Sequence, residues 1–184
     1  MALILSYTEA FIMWIDSFHI GGAVFVGIGA ALIMDIWNLF LQRAFHISSL
    51  NFCFVGRWLS HMLLGTFTHA HITAAPKRPA ECAIGWLAHF LISVAFALML
   101  IIPTSGSWLE RPSLFPALLV GVGTVLIPYF IVQPALGLGI ASAKTPNPTQ
   151  ARLKSLMTHT AFGVGLYLSA TLWNYFMHAF LAIR

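Results

Sequence analysis

The sequence predicts an all-α, polytopic membrane protein: a four-transmembrane-helix bundle with a cytoplasmic amphipathic helix between spans one and two. Three observations carry that prediction. Of 184 residues, 59% are hydrophobic and only 8% are charged, whereas an average soluble domain is about 25% charged. Mean hydropathy is +0.87, so there is too little polar surface to cover a globule in water. The apolar residues are also gathered into runs near the ~20 residues that a helix needs to cross the hydrocarbon core.

The chain reads as one membrane domain, 1–184, and each element follows from local composition. Residues 1–17 lack the basic region of a signal peptide and carry Glu9, so the segment is expected to be retained on the outer face. The first span covers about 18–41. In the following loop, about 42–82, the apolar spacing of "SSLNFCFVGRWLSHMLLG" predicts an interfacial helix at about 49–64. The second span covers about 83–102 and stops at Pro103; the third covers about 114–140, interrupted by Pro128 and Pro134; the fourth covers about 155–183. All four should be helical, because backbone in lipid must satisfy its own hydrogen bonds.

Charge sets the orientation. Seven of the nine Lys and Arg residues share one side: Arg43, Arg57, Lys77 and Arg78 between spans one and two, and Lys144, Arg152 and Lys154 between spans three and four. The other side holds Arg111 and Arg184, with the acids Glu9, Asp16 and Glu110. The basic-rich side is expected in the cytoplasm and both termini outside. That asymmetry accounts for the net charge of +4 without a nucleic-acid partner. Trp14, Trp108 and Trp173 map near the outer interface, and Trp37, Trp58 and Trp86 near the inner one. Cys53 and Cys82 fall in and at the edge of the cytoplasmic loop, where a structural disulfide is not expected. Neither belongs to a CxxC pattern, which leaves a zinc ribbon or a covalent haem unsupported. Gly27 and Gly29, Gly121 and Gly123, and Gly163 and Gly165 predict close helix contacts.

One acid stands inside an apolar run, Asp35 in "GIGAALIMDIWNLF". It lies about 9 Å below the cytoplasmic end of span one at 1.5 Å per residue. His89, Gln133 and His159 fall at similar depths in the other three spans. Four polar groups facing lipid would each carry a penalty, about 2.5 kcal/mol or more for a charge at the bilayer centre. A shared polar layer facing the bundle interior is therefore expected, with Ser93 on the His89 face and Pro134 weakening the backbone ladder beside Gln133. Arg57, His61, His69, His71 and Glu81 lie in the loop above it. On the outer side, Asn174 and His178 are spaced to pair at i and i+4.

The stretches "MDIW", "GRWLSHMLLGTFTH", "ECAIGWLAHF" and "QPALGLGIASAKTPNPTQARLKSLMTHTAFGVGLY" resemble an uncharacterised family of small bacterial inner-membrane proteins, known only as a domain of unknown function. The likeness covers most of the chain after about residue 20. It implies a bacterial inner-membrane location. It also implies motif positions at Asp35, Gly56, Arg57, Trp58, His61, His69, Glu81, Trp86, His89, Gln133, Pro134, Pro146, Arg152 and His159. It implies no activity.

The residues leave several functions open. A transition metal such as zinc or iron would take His61, His69, His89 and His159, with Glu81 and Asp35 as further ligands or their supports. Haem b could be held by His89 and His159, with Arg57 and Arg152 at the propionates. Asp35, Arg57, Gln133, Arg152 and Ser93 could instead line a pocket for a small ligand. The same groups could serve a membrane enzyme acting on a lipid or quinone-like substrate, as tunable acids and bases. A small transporter would use the Pro-broken span; the outer half of one protomer looks dry, a gap that a pore formed by a homo-oligomer could evade. A structural or assembly protein would use the layer only to fix helix register.

Overall fold

The computed structural model describes residues 17–182; Glu9, Trp14, Asp16 and Arg184, named above, lie outside them. The described residues are helical, with no strand. Helix α1 (Ser17–Phe45) is followed by α2 (Phe52–Met62), a 3-10 turn (Ile72–Ala74), α3 (Glu81–Ile101) and a short α4 (Ser107–Glu110). Then come α5 (Leu114–Gly123), a π-helical stretch (Pro128–Val132), a single turn α6 (Gln133–Ala135), a second 3-10 turn (Ile140–Ser142) and α7 (Pro148–Ala182). Three helical segments are long and apolar enough to cross a membrane: His19–Phe45, Glu81–Ile101 and Leu114–Ala135. Their outward faces stay apolar, with Ile36 67%, Leu91 60% and Leu119 65% exposed. The 35-residue α7 is more polar, because Thr158, His159, Thr160, Ser169, Thr171 and Asn174 interrupt its apolar runs.

Local chemistry explains the boundaries. Asn51 caps α2 by accepting from the Cys53 N–H at 2.9 Å. Asn147 caps α7 in the same way, accepting from the Gln150 N–H at 3.2 Å, with Pro148 preset in the first turn. That cap starts α7 seven residues before the expected start of span four at about 155. The third of these segments is broken where the prolines stand. Pro128 opens the π-helical stretch, whose register shows in the Gln133 N–H donating to Pro128 O. After α6 the chain turns at Gly137, whose φ of +89° few other residues tolerate, and Leu138 N–H closes onto Gln133 O at 2.8 Å. The loop after α2 is stapled to this broken end: His69 N–H donates to Ala135 O at 2.9 Å and Ile72 N–H to Leu136 O at 3.1 Å.

Helix α1 packs between α3 and α7, α5 packs on α7, and α2 docks on α3. Small residues make those approaches possible. A Cβ on Gly27 would overlap the Val94 backbone, one on Gly121 would overlap Gly163, and one on Gly165 would press on Ala30. Gly29 meets Ser169. Gly123 departs from the expectation: it faces open space, because two residues along the helix carry it about 200° round from Gly121, onto the exposed face. The apolar core lies toward the far end, around Val26, Ala97, Leu109 and Leu166. Trp108 belongs to that core, only 4% exposed and bonded to Ser113 O at 3.0 Å. Asn174 donates to Glu110 O, not to the exposed His178.

Candidate functional site

Two polar regions form at the basic-rich end of the bundle. The first clamps α2 to α3. Arg57 Nε and Nη2 donate to Glu81 Oε2 and Oε1 at 2.8 and 2.7 Å, the two-pronged geometry that suits a guanidinium and a carboxylate. Arg57 Nη1 donates to the carbonyls of Ile72 and Ala75 at 3.1 and 3.2 Å. The Arg78 N–H adds a bond to Glu81 at 3.0 Å. The side chains are only 5% and 12% exposed. The hydrogen bond to Glu81 raises the Arg57 guanidinium above its usual range.

Beside this pair the two helices meet at glycines. A Cβ on Gly56 would overlap Glu81 O, and one on Gly85 would overlap Phe52 O. Cys53 and Cys82 close the contact as a disulfide. This corrects the expectation from compartment alone. The close α2–α3 approach brings together two cysteines that are 29 residues apart in sequence, a proximity that no local spacing reveals.

The second region contains the expected polar layer, but divided into pairs. His89 Nε2 lies 3.2 Å from Asp35 Oδ2, with the Phe52 ring stacked on the imidazole at 4.2 Å and Ser93 Oγ donating to His89 O at 2.8 Å. Thr158 Oγ1 donates to Asn38 Oδ1 at 2.9 Å. His159 Nδ1 is bonded to Thr124 Oγ1 at 2.9 Å. Gln133 Nε2 reaches Ser155 Oγ at 3.4 Å, a long and weak bond.

The expected metal set is likewise dispersed. His61 Nε2 meets Pro76 O at 3.0 Å, and its ring lies 5.1 Å edge-on from that of His69. Glu81 is committed to Arg57. Among the described residues, no group of three or more His, Cys, Asp or Glu side chains is placed to hold a metal ion. Nor do Arg57 and Arg152 converge on the histidines, since Arg152 Nε donates to Ala141 O at 2.8 Å and fastens the second 3-10 turn.

What the second region does form is a cavity of about 700 Å³. Its walls are the α1 end at Met34 and Asn38, the segment from His46 to Phe54, and the start of α7 at Lys154, Ser155, Thr158 and His159; Gln133 and Leu136 of the broken crossing complete it. Among the described residues no carboxylate lines it, while His46, Lys154 and His159 do. Lys154 Nζ donates to Ser48 O across the mouth. Gln133 is 7% exposed, yet its Oε1 accepts no hydrogen bond among the described residues. Asn38, Thr124 and Thr158 were absent from the sequence reading, although Asn38 and Thr158 stand out as polar residues one turn from Asp35 and next to His159. On the other side of the α1–α7 seam lies an apolar groove of about 880 Å³ between Ile33, Trp37, Phe40, Leu156, Met157 and Val164.

The family described as "Protein of unknown function (DUF2938)" matches residues 24–173, and the chain belongs to it. No curated protein and no solved structure matches the chain.

Proposed function

We propose that this member of a family of unknown function is a four-span inner-membrane protein that binds a small organic ligand in the cavity at its basic-rich end. Three apolar crossings support the membrane reading. The fourth is α7: 35 residues at 1.5 Å each exceed the ~30 Å hydrocarbon core, and it packs along α1 and α5. The positive-inside rule puts the basic end in the cytoplasm, with α2 at the inner interface against α3.

One observation carries the ligand reading. Gln133 is buried against a roomy cavity with a carbonyl oxygen that accepts no hydrogen bond among the described residues. A buried acceptor left unpaired costs about 1–3 kcal/mol, and a ligand hydroxyl or N–H recovers that. The ligand is neutral or anionic, since Lys154 and His46 line the cavity and, among the described residues, no carboxylate does. A metal ion alone fits less well, because His61, His89 and His159 are committed to separate neighbours and, among the described residues, no three His, Cys, Asp or Glu side chains are placed to hold one. Native mass spectrometry of the untagged protein in nanodiscs tests this. Wild type should retain one small molecule per chain, and Gln133→Leu should lose it. A wild type that carries only bulk lipid, indistinguishable from Gln133→Leu, would sink the reading.

A further inference from the structure

We infer that Cys53 and Cys82 form a thiol–disulfide exchange centre that accepts electrons from a dithiol partner at the basic-rich face. Three observations support it, and none concerns the cavity. The first is access: Cys82 is exposed while Cys53 is half-buried, so an incoming thiolate has one sulfur to attack and the other as leaving group. The second is placement. Each cysteine is the second residue of its helix, Cys53 in α2 and Cys82 in α3. The positive ends of two helix dipoles therefore face the sulfurs, a setting that favours thiolate over thiol.

The third is preorganisation. Helix α2 stays on α3 without the S–S bond, through the Arg57–Glu81 fork and the contacts at Gly56 and Gly85. The two thiols of the reduced form remain side by side, so the pair can open and close without unfolding. The compartment gives a further reason, which rests on the orientation proposed above. A disulfide on a cytoplasmic face is usually transient and catalytic or redox-sensing, since cytosolic thiols are kept reduced.

The exchange balances. A partner thiolate attacks Cys82 Sγ, the S–S bond breaks, and Cys53 leaves as a thiolate that takes up a proton. The partner's second thiol, deprotonated, then attacks the partner sulfur of the mixed disulfide and expels Cys82, which is protonated in turn. Two electrons and two protons pass to the cysteine pair, and the partner's two thiols become a disulfide.

Purified protein in nanodiscs, equilibrated with mixtures of reduced and oxidised glutathione, then acid-quenched and alkylated, tests the proposal. The pair should convert reversibly between disulfide and dithiol while the protein stays folded. Cys53→Ser should collect glutathione on Cys82 about tenfold faster or more than Cys82→Ser collects it on Cys53, following access to the attacked sulfur. A disulfide that yields only after unfolding, thiols that stay reduced in oxidised glutathione, or equal trapping in both variants would overturn it. If either variant fails to fold, the site of the wild-type mixed disulfide decides: Cys82 supports the centre and Cys53 contradicts it. An impermeant maleimide on intact spheroplasts and on inverted vesicles reports the side separately. Labelling from outside alone would defeat the orientation, while the glutathione results would still judge the exchange.

Discussion

The α2–α3 clamp and the α1–α7 cavity sit at the same end of one bundle and are built on opposite principles. In the clamp every polar group is engaged: the Arg57 guanidinium meets two carboxylate oxygens and two backbone carbonyls, and Glu81 gains a backbone N–H as well. In the cavity the bonds are single and pairwise, one is long, and the Gln133 carbonyl oxygen has no donor among the described residues. Full satisfaction marks a joint. Incomplete satisfaction beside open volume marks a place where something else completes the bonding. The charged side chains that look most like ligand-binding groups in the sequence, Arg57 and Glu81, thus serve the joint, while an uncharged amide faces the cavity.

The contrast predicts an order of effects. The largest should come from Gly56→Ala, whose methyl group would overlap Glu81 O and push α2 off α3; a loss of about 3 kcal/mol or more is expected from overpacking that neither helix backbone can relieve. Denaturation of the protein in detergent measures it. Next is Arg57→Gln, which leaves a mostly buried Glu81 without its cation and should lower stability by about 2–3 kcal/mol, with much of the loss recovered in the double variant Arg57→Gln, Glu81→Gln. A double-mutant cycle showing no coupling would mean that the fork is not what holds the joint.

On the cavity side the effects on stability should be small. Asn38→Ala removes one bond between packed helices, worth about 0.6 kcal/mol in membrane proteins. Gln133→Leu should cost less than about 1 kcal/mol or stabilise slightly, since it removes an unpaired acceptor. A Gln133→Leu variant that unfolds readily would erase the distinction between joint and site.

The fold was legible where one run of sequence decides it. The apolar runs marked the three helical segments long and apolar enough to cross a membrane, Pro103 ended α3, and Pro128 and Pro134 broke the third of them near Gln133. The glycine pairs marked helix contacts at five of six positions; Gly123 failed because it lies on the opposite side of its helix from Gly121. Depth along a helix was also readable, so Asp35 and His89 do meet. What depth cannot give is direction around the helix axis. His159 turns to Thr124 and Gln133 to Ser155, and four groups at one level become separate pairs. Pairs joined across loops were invisible for a related reason. Arg57 and Glu81 are 24 residues apart and the cysteines 29, and only the fold brings each pair together. The expected compartment of the loop argued against a disulfide, yet proximity in the fold decided otherwise.

The measurement that bears most directly on the central claim is a high-resolution density map of the untagged protein in native-lipid nanodiscs, inspected beside Gln133. The account predicts ordered non-protein density in the cavity, with a polar atom within about 3 Å of Gln133 Oε1. A cavity closed by its own walls, with Gln133 Oε1 bonded to a donor of the chain, would contradict it.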